Sequence, residues 1–157
     1  MTTRGPAVQD HYPDDFAHCH GCGRLNPYGL QLKSRWERDE VVAEFQPRAS
    51  HMSLPGFVYG GLLASLVDCH AMATAAAWSE RAAGFAVGER ESPRFVTASL
   101  KVDYLKPTPL GHELEMRARI RESSERKAVV EVEVIADSTV TVRGEVVAVR
   151  MPASMRR

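Results

Sequence analysis

The sequence predicts one α+β domain in which an antiparallel sheet wraps around a single long central helix. Three observations predict it. Residues 60–78 hold Leu62, Leu63, Ala64, Leu66, Val67, Met72, Ala73 and Ala75-Ala76-Ala77, apolar on nearly every face. A helix of that kind is buried rather than amphipathic. From residue 95 onward the apolar pattern has period two, the mark of half-buried strands. Two shorter strand-like segments precede the helix, so it sits inside a run of strands instead of alternating with them.

In chain order, residues 1–17 read as a mobile or loosely docked arm, with Gly5-Pro6 and Tyr12-Pro13 as breakers. Residues 18–29 form a turn-rich loop containing His18, Cys19, His20 and Cys22. Short strands are expected over 30–35 and 41–45, then a loop with Pro55-Gly56. After the helix, the polar segment 79–93 is expected to be a loop able to move. The strand over 95–105 places Val96, Ala98, Leu100, Val102 and Tyr104 on one face and Thr97, Ser99, Lys101 and Asp103 on the other. Leu114, Met116, Ala118 and Ile120 alternate with charges, as do Val130, Val132 and Val134, and a last strand runs over 140–151. One sheet face covers the helix, and the other is charged or meets a partner. This is the hotdog arrangement. We place a lead-in at 1–27, the hotdog domain at 28–151 and a tail at 152–157.

The bulk numbers narrow the function classes. The chain has 157 residues, 44% hydrophobic and 25% charged, with 20 basic residues balancing 20 acidic ones. That balance gives no electrostatic case for nucleic acid or a membrane surface. No run approaches the ~18 apolar residues of a membrane span, and the polar start lacks an apolar leader core. Three cysteines are too few, and odd in number, for a secreted disulfide scaffold. A cytoplasmic location is expected.

Two segments carry a resemblance. Gly56-Phe57-Val58-Tyr59-Gly60-Gly61-Leu62-Leu63-Ala64-Ser65-Leu66-Val67-Asp68 resembles the His-Gly-Gly…Asp segment of hotdog-fold acyl-CoA thioesterases of the phenylacetate-pathway (PaaI-like) type. Tyr59 stands at the His position and Asp68 nine residues later. Thr97 to Pro107, followed by Gly111, resembles that family's strand ending in an aromatic, a basic residue and proline. The resemblance implies an acyl-CoA thioesterase needing no cofactor and no metal, acting on a small-molecule acyl-CoA as a homodimer or dimer of dimers. It also implies that Thr97 helps position a nucleophilic water, and that Ser53 stands where relatives often carry Asn, with His51 nearby.

The residues themselves suit that chemistry. Gly60 and Gly61 leave N–H groups unpaired at the positive end of a helix, where a thioester carbonyl is polarised. Asp68, on an apolar helix, needs a partner or a purpose; burial favours its neutral form and tunes it as a base. It would attack the thioester directly or activate a water. Seven residues separate Gly61 from Asp68, roughly 10 Å along one helix. If both act, they come from different subunits. Tyr59 is a donor but a poor base near neutral pH. Ser65, inside the same segment, is a further substrate-binding candidate. His70 points to another helix face and reads as structural or interfacial. Coenzyme A phosphates call for basic groups at the cleft mouth, with Lys106, Arg94, Arg90, Arg126 and Lys127 as candidates.

Two other readings remain open. A hotdog domain can bind acyl-CoA without chemistry, although no effector segment is visible here. A hotdog dehydratase or hydratase needs a His working with an acid, and Tyr59 counts against it. His18, Cys19, His20 and Cys22 are soft zinc-type ligands, but a second ligand pair at suitable spacing is absent. Reduced thiols packed against the sheet are expected, with a reversible Cys19–Cys22 disulfide under oxidation.

Overall fold

The computed structural model describes residues 4–156; residues 1–3 of the lead-in and residue 157 of the tail lie outside it. The elements are β1 (Ser34–Glu37), β2 (Glu40–Phe45), α1 (Gly60–Ala82), β3 (Phe95–Tyr104), β4 (Leu114–Ser123), β5 (Lys127–Ala136) and β6 (Thr139–Arg150). The strands form one antiparallel sheet in the order β1-β2-β4-β5-β6-β3. It curls around α1, so the architecture is the hotdog fold. Tight hairpins join neighbours. Asp137 and Ser138 both have positive φ, 47° and 62°, the geometry whose twist matches flanking strands.

Alternation explains the layers. Leu114, Met116, Ala118, Val130, Val132, Val134, Val142 and Val146 point inward and are buried with Leu63, Leu66, Val67 and Ala71 of α1. The sheet approaches the helix closely at Gly144, where an added Cβ would lie 2.4 Å from Val67 Cγ1. The outer face carries a lattice of ion pairs, among them Arg117 with Glu40 and Glu115, and Arg143 with Glu133.

Several expectations need correction. The helix runs to Ala82, a turn beyond residue 78, because Glu80 stays inside and accepts from Ser92 Oγ at 3.2 Å. The segment after it is tied down: Ser92 N–H donates to His11 O at 2.8 Å and Val87 is buried. The first strand begins at Ser34, not at 30. By length and composition α1 does pass for a membrane span, at 23 residues, but 72% of its most apolar window is buried within the protein's own core. The arm is not loose either. Ala7, Val8, Tyr12 and Ala17 are buried, and Gln9 enters the core to pair with Ser34 through both its amide atoms, at 2.8 and 2.9 Å.

The β3 face assignment also changes. A bulge between Thr97 and Ser99 shifts the register against β6 by one residue. Such a bulge reverses which side chains face the core. Leu100, Val102 and Tyr104 face the helix side as expected. Before the bulge, Phe95 and Thr97 take that face, and Val96 does not.

Candidate active site

One side of α1 is left open. Between residues 60 and 77 the buried pattern is interrupted only at Gly60, Gly61, Ala64, Ser65 and Asp68, which are half-buried. Steps of three and four residues put these on one helix face. The edge strand β3 borders that stripe, and its bulge aims Thr97 at the acid. Thr97 Oγ1 donates to Asp68 Oδ1 at 2.5 Å. Burial pushes the Asp68 carboxyl above its ordinary value, and the Thr97 hydroxyl pulls the other way.

The other end of the stripe is the helix start. Tyr59 is the N-cap residue and no side chain caps the helix. Leu62 N–H donates to Tyr59 O at 3.1 Å, whereas among the described residues Gly60 and Gly61 N–H meet no acceptor. The Tyr59 ring folds across Gly61: a Cβ there would lie 2.6 Å from the phenol oxygen. Absence of a side chain at Gly61 therefore gives the phenol its place beside the free amides. From the opposite side, Tyr104 Oη donates to Gly60 O at 2.7 Å. Tyr104 was not singled out in the sequence as a site residue; its place in the aromatic-basic-proline strand end was the available signal.

The remaining candidates divide. Ser65 lies midway along the stripe, but its hydroxyl donates to Gly61 O at 2.9 Å. His51 supports the helix entry: Tyr59 N–H donates to His51 O at 2.8 Å, and its Nδ1 accepts from Arg48 N–H at 3.0 Å. Burial pushes the His51 imidazole down. Ser53 is exposed in the same loop, its N–H bound to Phe57 O at 3.0 Å. Lys106 is exposed just beyond β3. Arg90 stacks on Phe85 at 3.9 Å, and Arg126 and Lys127 belong to the β4–β5 hairpin. Arg94, expected at the cleft mouth, instead turns inward and stacks on Tyr12 at 4.1 Å. A planar guanidinium with an apolar stem tolerates that burial better than an ammonium would.

His70 faces the other way. It is fully buried, its Nδ1 is 2.8 Å from Ser34 Oγ and its Nε2 is 2.9 Å from Val41 O. With Nε2–H donating to the carbonyl, Nδ1 accepts from Ser34, whose oxygen in turn accepts from Gln9. Burial pushes this imidazole down to about 4. It is a neutral core strut.

Several concavities among the described residues lie away from this stripe. One lies on the outer sheet face among Glu40, Lys101, Arg117 and Glu145. Asp68 and Gly61 line none of these concavities and stay half-buried on the helix surface. The arrangement offers two unpaired amide donors at one end, a carboxylate with a hydroxyl partner at the other, and an open face between them.

Known proteins match this architecture. The thioesterase superfamily is matched over residues 55–143, which include both ends of the stripe. A thioesterase superfamily protein from Shewanella loihica is 43% identical, with a TM-score of 0.66, over 88% of this chain and 98% of its own. A point mutant of the phenylacetic acid degradation protein PaaI from Thermus thermophilus is 28% identical, with a TM-score of 0.59, over 78% of this chain and 95% of its own. The PaaI protein of the E. coli phenylacetic acid degradation operon, 16% identical over 78% of this chain and 81% of its own, shares the fold with a TM-score of 0.63. No curated protein matches the chain. Through the matched segment and the Shewanella relative, the chain belongs to the thioesterase superfamily, with the hotdog fold that the PaaI structures share.

Proposed function

We propose that the protein is an acyl-CoA thioesterase whose sites are shared between two copies of the chain. The open stripe of α1 carries this reading. It holds free N–H groups at Gly60 and Gly61 and the Asp68–Thr97 pair about 10 Å further along the same helix. One thioester carbon cannot touch both ends of one stripe. In a dimer, Gly61 N–H of one subunit holds the carbonyl oxygen while Asp68 of the other works on the carbon.

In the water route, Asp68 takes a proton from a water held with the help of Thr97. The water oxygen attacks the carbonyl carbon, and the oxyanion forms against Gly61 N–H. Collapse breaks the C–S bond, and the coenzyme A sulfur recovers the proton from Asp68. In the direct route, the Asp68 carboxylate attacks the carbonyl carbon and expels coenzyme A thiolate as the C–S bond breaks; water then opens the resulting anhydride, regenerating the Asp68 carboxylate, and its two protons go to the thiolate and the released acid. Tyr59 adds a phenol donor beside the amide. Edge strand β3 supports the pairing: Leu100, Tyr104 and Leu105 are 40%, 53% and 47% exposed, an apolar edge of the kind that pairs with another chain. Such dimers would pair again into tetramers. Lys106 at that edge would meet a coenzyme A phosphate, while Ser53, His51, Ser65 and Gly60 shape the acyl end. A cytoplasmic location goes with this reading, since CoA thioesters are met there.

The test is purified protein on a panel of acyl-CoA esters, aromatic and straight-chain, with released thiol monitored. Hydrolysis of at least one ester is expected. Binding without thiol release would replace this reading with a non-enzymatic acyl-CoA binder, and hydration of an enoyl-CoA without thiol release would replace it with a hydratase. A stable monomer on size-exclusion chromatography would refute the shared site.

A further inference from the structure

Three thiols meet beside the active helix. Cys19 and Cys22 come from the lead-in loop and Cys69 from α1, and their sulfur atoms all lie within 4.8 Å of one another as free thiols. The sequence offered no second ligand pair for Cys19 and Cys22; the fold supplies a third thiol from 47 residues further along, and from the helix where the sheet was expected. Cys19 Sγ and Cys69 Sγ are 3.7 Å apart. Four sulfurs about 2.3 Å from a tetrahedral zinc lie about 3.8 Å from each other, whereas a disulfide needs about 2.05 Å.

The loop is built around these sulfurs. Its chain turns back on itself, with Gly23 N–H donating to Cys19 O at 2.7 Å. Gly23 N–H thus closes the turn that carries Cys19 and Cys22 on one side. Three positions in the loop must lack a side chain, among them Gly29, where a Cβ would lie 2.5 Å from His20 O. A Cβ at Gly21 would lie 2.3 Å from Cys69 Sγ, and one at Gly23 would lie 2.4 Å from Cys19 N. Leu30 and Leu32 N–H clamp the loop through His20 O and Gly21 O, at 2.8 and 3.1 Å.

A second, independent observation comes from the neighbours. The Tyr12 hydroxyl and Arg94 Nη1 are buried without a hydrogen-bond partner among the described residues, although Tyr12 is only 2% exposed. Both lie close enough to Cys22 for their charges to interact, and Arg94 forms no ion pair with a carboxylate among the described residues. Arg94 is half-buried, and its buried Nη1 is costly to leave without a counter-anion. Three neutral thiols would leave that cost standing.

We propose that Cys19, Cys22 and Cys69 bind one zinc ion as three thiolate ligands, with the fourth position held by a water or small exogenous ligand on the half-exposed Cys19 side. Binding releases three thiol protons and leaves a complex of net charge minus one, which Arg94 balances. His18 and His20 are exposed and outside the cluster, so the folded chain supplies three ligands. The metal pins the lead-in to α1. Cys69 follows Asp68 by one residue, about 100° around the helix, so the ion braces the acid's helix without facing the substrate stripe.

The test uses the full chain, purified under reducing conditions without a metal-affinity step, then incubated with zinc and desalted. Elemental analysis is expected to find about one zinc per chain, with three thiols that react only after a strong chelator is added. Cobalt substituted for zinc should show the thiolate-to-metal absorption of a sulfur-rich tetrahedral site. Cys69→Ser and Cys22→Ser should lose the metal. Asp68→Asn should keep it, which separates this inference from the catalytic one. Three freely reactive thiols and no retained zinc in the reconstituted wild type would overturn the proposal, even if the cysteine variants fail to fold. So would a Cys19–Cys69 disulfide in place of metal in the protein as isolated.

Discussion

The two sides of α1 treat polar groups in opposite ways. On the inner side, Gln9, Ser34, His70 and the Val41 carbonyl form a closed chain in which each donor has an acceptor. On the open side, Gly60 and Gly61 N–H have no acceptor among the described residues, and Asp68 has one neutral partner. Both sides carry a titratable residue, two positions apart. Satisfied and buried, His70 fixes where strands β1 and β2 sit. Half-buried and incompletely paired, Asp68 keeps its reactivity for something that arrives from outside. Pairing, more than residue type, separates scaffold from site here.

Four substitutions test that contrast. The largest effect is expected on the open side: Asp68→Ala should lower kcat on the best acyl-CoA by roughly 10²–10⁴ while leaving the melting temperature near wild type; unchanged turnover would remove Asp68 from the mechanism. On the closed side, His70→Ala should cost about 2–4 kcal/mol in urea unfolding, because it opens a cavity and strands Ser34 and the Val41 carbonyl. Its kcat at a temperature where it is folded should be close to wild type. A third change tests the link between bulge and acid. Thr97→Val keeps the shape and removes the hydroxyl, and should lower kcat by roughly 10- to 100-fold, the worth of one hydrogen bond to a charged group; no change would make Thr97 an ordinary strand residue.

The smallest effect concerns a group that belongs to neither side. Burial pushes the Glu80 carboxyl above its ordinary value of 4.5, against the pull of Ser92 and Arg90. Its protonated form is the one the fold favours, so its contribution is fully present below 4.5 and is lost as pH rises through the raised value. Glu80→Gln stays neutral throughout. Its melting temperature relative to wild type should improve from acid to neutral pH, and an advantage confined to acid would contradict the sign.

Much of this was legible in the residues. The apolar run from Leu62 to Ala77, set among strands, reads as a core helix, and the alternation in β4, β5 and β6 left one way to face it. Asp68 and Gly61 stood out because each violates that helix's pattern. What was hidden depends on contacts distant in sequence. The bulge at Ala98 moves Thr97 to the helix face, and period-two reading has no signal for an inserted residue. Gln9 sits in a polar arm and reveals its role only when Ser34 and His70 meet it. Arg94 looks like any surface cation until Tyr12 lies under it. Cys69 reads as one more small apolar residue until the loop brings Cys19 and Cys22 beside it.

A shared site takes Gly61 from one subunit and Asp68 from the other, and mixing two dead variants tests that arrangement directly. Asp68→Asn and Gly61→Val, each inactive alone, are unfolded together and refolded as a mixture, and thioesterase activity is measured. In a mixed dimer one of the two shared sites has both native groups, so random reassortment should restore about a quarter of wild-type activity. If the mixture stays as inactive as its components while mixed dimers are shown to form, the two groups act within one chain or not together, and the shared site is wrong.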